Sequence, residues 1–275
     1  MRRVFLIIIP ALICIATVAI SGNTAVAGQI TMTFQPESVV SIRMAGSGTV
    51  TIDWGDGSTR EIYTLTAHNE KSNLMDNRHD IKYKDEYLYS HDYSGTFSQV
   101  TVTIVGENIT FLGCSFLNLT SLDVSRNAAL IYLHCSNNHL TNIDVSKNVM
   151  LSHLICDQNP LKILDVSNNT ALTVLNCSAN NLTSLDVSKN AALTTLWCAM
   201  NQLTILNVSK NTVLWSLFCF NNNLSTDALN SLFETLHDNG SNRRVFVGNN
   251  IGKDYNQSIA TNKGWQVNNS FFTLD

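Results

Sequence analysis

The sequence predicts a mainly β chain: a solenoid of stacked coils, with a strand-rich unit before it and a strand-and-helix cap after it. Three observations carry this. Units of 21 residues begin at Leu119, Leu140, Leu161, Leu182 and Leu203. Six cysteines, Cys114, Cys135, Cys156, Cys177, Cys198 and Cys219, keep the same step. Outside that stretch the period is lost: upstream the apolar residues alternate in twos, downstream they fall at helical spacing.

Composition narrows the class further. The 275 residues carry 17 Lys+Arg against 21 Asp+Glu, with 44% hydrophobic and 14% charged. Such a chain is too apolar to be disordered, and 13 Gly with 3 Pro are too few for a fibrous protein. The balance is not basic, so no nucleic-acid partner is expected.

The first element is an export signal over 1–27. Arg2 and Arg3 precede an apolar run over 4–20, and Ala25-Val26-Ala27 is a small-x-small cleavage site. The alternative is a membrane anchor; Pro10 and the cleavage tripeptide favour a signal. Cys14 follows Ile13 and not a small residue, so it reads as apolar filler, not as a lipid attachment site. No other stretch is long and apolar enough to span a bilayer.

Residues 28–111 alternate like strands at 30–34, 39–44 and 49–54, and again at Val100, Val102 and Ile104. Between them lies the turn Asp53-Trp54-Gly55-Asp56-Gly57-Ser58, whose glycines suit positive φ. This turn, followed by His91, Tyr93, Gly95, Phe97 and the alternating valines, resembles the PKD family. The resemblance implies an immunoglobulin-like β-sandwich. Residues 66–86 depart from it, being polar, charged and longer than the family pattern. Asp53 and Asp56 read as turn residues and not cation ligands, because the loop lacks EF-hand spacing. His68, His79 and His91 read as scattered surface histidines. The unit holds 6 basic and 11 acidic residues, most of the net charge.

Over 112–224 the consensus is L-x-x-L-D-V-S-x-N-x-x-L-x-x-L-x-C-x-x-N-x. The alternations L-x-V and L-x-C both have strand periodicity, with those residues facing inward. The Asn after each run ends it at a corner, where its amide can bond backbone groups that a tight turn leaves unpaired. Two corners in 21 residues make a flattened coil whose neighbours stack Leu on Leu and Asn on Asn. Stacked cysteines are about 4.8 Å apart, while a disulfide wants Cβ atoms about 3.8 Å apart, so six buried free thiols are expected. The stretch L-x-x-L-x-C-x-x-N-x-L resembles the leucine-rich repeat, most closely the 21-residue cysteine-bearing repeats of bacterial surface proteins such as cysteine-ladder internalins and related Bacteroidetes proteins. The resemblance implies a curved right-handed solenoid with a parallel sheet on its concave, ligand-binding face.

Residues 225–275 form the α/β cap. Ala228, Leu229, Leu232, Phe233 and Leu236 have helical spacing, ended by Asn239-Gly240. Val245-Phe246-Val247 reads as a strand, 254–262 as a short helix stopped by Gly264, and Trp265-Gln266-Val267 as the last strand.

Function is sought where the repeat does not dictate the residue. The outward positions beside Leu and Cys vary and yield a candidate ligand-binding face: Tyr132, His134, His153, Asp157, Asn176, Trp197, Phe218 and Phe220. Trp197, Phe218 and Phe220 are apolar where a solvated sheet would be polar; the alternative is that the C-terminal cap covers them. Tyr132, His134 and His153 form a second group, weak as a metal site without a carboxylate partner. The column Asp123, Asp144, Asp165 and Asp186 reads as turn bonding. No nucleophile elbow, phosphate loop or zinc motif is present, so no catalytic residue, cofactor or metal is assigned. The expectation is an exported, monomeric binding protein at a cell surface with a protein ligand; a glycan ligand or a structural spacer are the alternatives.

Overall fold

The computed structural model describes residues 28–36, 38–67, 88–95, 98–238 and 240–269. The signal at 1–27 with its Cys14, and His68, His79, Phe97 and Asn239, lie outside them.

Where the N-terminal unit alternates, it forms strands: β1 (Gln29–Phe34), β2 (Val39–Ser47), β3 (Thr49–Asp53), β4 (Glu61–Thr64), β5 (Leu88–Asp92), β6 (Val100–Val105) and β7 (Asn108–Gly113). Ile30, Met32 and Phe34 of β1 and Val100, Val102 and Ile104 of β6 are buried at every second position. One sheet runs β4-β3-β6-β1, the other β5-β2-β7. They share a core. The Tyr93 hydroxyl, just past β5, donates to the Trp54 carbonyl at 2.6 Å, and its ring meets Phe34 and Trp54 edge-on. The Asp53–Ser58 turn closes as expected. Gly55 has φ +77, and a Cβ there would lie 2.3 Å from the Thr101 carbonyl oxygen. Asp53 accepts from the Gly55 N–H and Asp56 from the Ser58 N–H, both at 3.0 Å. His91 departs from expectation. It stacks on Trp54 (centroids 5.0 Å, interplanar 13°) and pairs with Asp56 at 2.7 Å, so it belongs to the packing of this turn.

The solenoid strands are β8 (Ser121–Asp123), β9 (Tyr132–His134), β10 (His153–Ile155), β11 (Val174–Asn176), β12 (Thr195–Trp197) and β13 (Ser216–Phe218). From β9 to β13 each pairs in parallel with the next, and equivalent repeat positions lie in register. Leu119, Leu122, Val124, Leu130, Leu133 and Cys135 are buried, and so are their equivalents in later coils. All six cysteines of the ladder are buried and free.

The corner asparagines bond as the repeat requires. The Asn138 side chain donates to the carbonyls of Cys114 and Cys135 at 2.9 and 3.0 Å and accepts from the Leu117 and Leu119 N–H groups, tying two coils together. The second column does the same for the opposite corner: Asn148 donates to the Val124 and Asn127 carbonyls at 2.9 and 2.7 Å. One expectation is corrected. The L-x-V run forms a strand only in the first coil, as β8, where β1 lies antiparallel to it. In later coils the run has no such strand beside it and is not a strand.

The two units are fused at both faces. β7 pairs antiparallel with β2 and parallel with β9, so the 111/112 division falls inside one strand. At the other end α1 (Thr226–Thr235) starts on Ser225, whose side chain accepts from the Ala228 N–H. It ends with Leu236 as its cap, before the Asn239-Gly240 signal. β14 (Arg243–Phe246), α2 (Ser258–Thr261) and β15 (Trp265–Asn268) follow. α2 is shorter than the expected 254–262, because the Asn256 N–H is taken by the Asn230 side chain at 2.7 Å and Asn256 in turn accepts from the Ser258 N–H. β14 and β15 continue the parallel ladder. The result is a ten-stranded sheet ordered β15-β14-β13-β12-β11-β10-β9-β7-β2-β5.

Candidate binding face

In each short strand the middle Leu points into the core and its two neighbours point outward. Register then sets the outward residues in rows across the strands. One row runs Gly113, His134, Ile155, Asn176, Trp197, Phe218, Phe246 and Asn268. A second runs through Phe111, Tyr132 and His153 to Ser216, Arg244 and Gln266. Six of the eight predicted residues lie in these rows, with Asp157 and Phe220 two residues past the ends of β10 and β13; they fall in two groups with Asn176 between them. His134 and Trp197 are three strands apart, about 14 Å.

The first group sits near the N-terminal unit. Tyr132 and His153 stack at 4.6 Å and 29°, and Phe111 tilts against Tyr132 at 6.4 Å. His153 Nδ1 is 2.8 Å from Ser152 Oγ. The Ser136 hydroxyl donates to Asp157 at 2.5 Å. Burial holds the His134 imidazole below its ordinary value; the Asp157 carboxylate opposes this and the Arg43 charge adds to it. Among the described residues no three His, Cys, Asp or Glu side chains are grouped to hold a metal ion. Asn176, between the two groups, is 7% exposed and accepts from the Ser178 N–H, so it serves its own turn.

The second group is aromatic. Trp197 and Phe218 meet edge to face at 5.0 Å and 67°, and Phe218 stacks on Phe246 at 4.3 Å and 4°. Trp197, Phe218 and Phe220 are half-buried, not exposed. The described cap strands do not lie over them; they extend the sheet edge to edge and add Phe246 to the row. Sequence reasoning missed Phe246 as a site residue. Its signal was in the Val245-Phe246-Val247 alternation, which repeats the inward-outward-inward order of Leu217-Phe218-Cys219 after the α1 insertion.

A parallel sheet of 21-residue coils, with inward Leu-x-Cys and a bonded corner Asn, has the form of a leucine-rich-repeat solenoid. Solved structures of that kind resemble it. The functional domain of InlJ from Listeria monocytogenes, which includes a cysteine ladder, is 24% identical with a TM-score of 0.33, over 62% of this chain and 51% of that one. An internalin (inlF) from the same organism is 21% identical with a TM-score of 0.48, over 57% and 46%. A leucine-rich-repeat protein of Leptospira interrogans is 22% identical with a TM-score of 0.45, over 53% and 39%. The chain spans about half the length of these structures or less. At such identities the likeness concerns the fold alone. No family model and no curated protein matches. No helix among the described residues is long and apolar enough to cross a membrane.

Proposed function

We propose that the chain is an exported recognition module that binds a protein partner through the outward face of its solenoid sheet, at the aromatic end. The observation that carries this reading is the row Trp197, Phe218 and Phe246, three rings on three neighbouring strands. Large rigid aromatics set side by side are what dominates the energetics of protein interfaces. From Gly113 onward there are 9 basic and 10 acidic residues, so shape and apolar contact outweigh long-range charge.

Ring geometry favours a protein over a glycan. A sugar stacks on an open ring face. Phe218 and Phe246 lie face to face, and Tyr132 and His153 nearly so, which covers one face of each ring. Edges and gaps between rings suit aliphatic and aromatic side chains. The N-terminal unit is read as a PKD-like module on the strength of its Asp53–Ser58 turn and Tyr93. Export rests on the signal at 1–27, and no catalytic step is part of the reading.

The test is Trp197→Ser combined with Phe218→Ser. Capture of cell-surface protein is expected to fall at least tenfold while the β-sheet circular dichroism is kept. Undiminished capture would move the site elsewhere. A glycan-array signal abolished by the same pair would assign the face to sugar instead, and no ligand in either assay would leave the spacer reading.

A further inference from the structure

We infer that the partner presents a carboxylate beside its apolar side chains, and that Arg244 receives it; the inference rests on the aromatic face being the recognition site. Arg244 lies opposite Ser216 in the row next to the aromatics, two residues along the same strand from Phe246. On the same face of a strand that separation is about 7 Å. Its backbone N–H bonds the Trp215 carbonyl at 2.9 Å, which fixes its place against the start of β13. From β11 to β15 every other outward strand position is uncharged.

The guanidinium is exposed and has no ion pair or side-chain hydrogen bond among the described residues. Its sequence neighbour makes the contrast. Arg243 faces the other way, is 3% exposed, and donates to the carbonyls of His237, Asp238, Gly240 and Lys263, which locks the cap. Arg243 commits both terminal guanidinium nitrogens to the fold, whereas Arg244 keeps its fork of five donors for something outside it. Covered by a partner, a carboxylate at Arg244 would sit beside Phe246 with little water, where a charge-assisted pair is stronger than on an open surface. The fitting occupant is an extended protein segment with Asp or Glu two residues from a large apolar side chain, since that step along an extended chain is also about 7 Å.

Two fluorescein-labelled peptides test this by anisotropy with the full chain: Ser-Phe-Thr-Glu-Thr-Phe-Ser and the same peptide with Lys for Glu. The unmodified chain is expected to bind the Glu peptide at least tenfold more tightly, and Arg244→Glu to invert the preference. Phe246→Ala is expected to weaken both. Equal affinity for the two peptides, untouched by Arg244→Glu but lost in Phe246→Ala, would overturn the carboxylate and leave the aromatic face standing. Binding indifferent to Phe246→Ala, or no binding at all, would overturn both. If the Glu peptide binds only after Phe271→Ser and Phe272→Ser, the occupant is the chain's own segment 270–275, and the external partner is overturned.

Discussion

Asn127 and Asn148 hold the same place in successive coils but differ in their surroundings. Both are fully buried. Asn148 donates to two carbonyls of the coil before it. Asn127 has no such coil to bond, and its side-chain amide nitrogen and oxygen have no hydrogen-bond partner. Asn148→Ala would strand two buried carbonyls and is expected to cost about 2–4 kcal/mol, whereas Asn127→Ala is expected to cost under about 1 kcal/mol. Urea unfolding of the two variants decides; equal losses would refute the coil-to-coil role. The Asp column makes a pH prediction at the same scale. The Ser146, Ser167 and Ser188 backbone N–H groups bond Asp144, Asp165 and Asp186 and hold their carboxyls below the ordinary value. Asp56 is lowered too, by Ser58 first and then His91. A folded-state pKa below the unfolded one gives stability that is present above the unfolded value and lost as pH falls through the folded one. The Tm should therefore drop below about pH 4. Asp186→Asn keeps the acceptor, as Asn207 does naturally for Ser209 at 2.9 Å, and should shrink that drop.

The element that distinguishes this chain is the cysteine ladder. Six thiols stack through the core, and burial pushes those of Cys114, Cys177 and Cys219 up to about 12. A thiol that is neither accessible nor ionised is a small hydrophobe. In the native chain these six should be inert to a thiol reagent for hours. In denaturant without reductant all six should react; fewer than two would mean that the ladder is oxidised. The cap strands are the element that most affects the candidate site. α1 interrupts the period, yet Val245 returns to register with Leu217. The sheet face therefore does not end at the last repeat but gains Arg244 and Phe246.

At the scale of the whole molecule, the two units share β7 and meet again where β1 pairs with β8. They should unfold together. Leu112→Ala, at a fully buried position on the shared strand, is expected to cost about 2–5 kcal/mol and to shift one common transition. Calorimetry resolving two transitions would show that the units are independent. Much of this architecture was legible in the sequence. Twenty-one-residue spacing fixed the coil, its inward residues, its corner asparagines and the free thiols, because each depends on a pattern repeated within a few residues and tested five times over. The candidate face was legible as a set of outward columns. Its division into a His-rich group and an aromatic group was less so, since half-burial and ring stacking depend on neighbours one coil away. Pairing across distant segments was decided by the tertiary structure alone: β1 against β8, β7 between β2 and β9, Phe246 beside Phe218 in the aromatic row and Arg244 beside Ser216 in the next. Local periodicity says which way a side chain points, but only the folded chain sets which distant strand lies beside it.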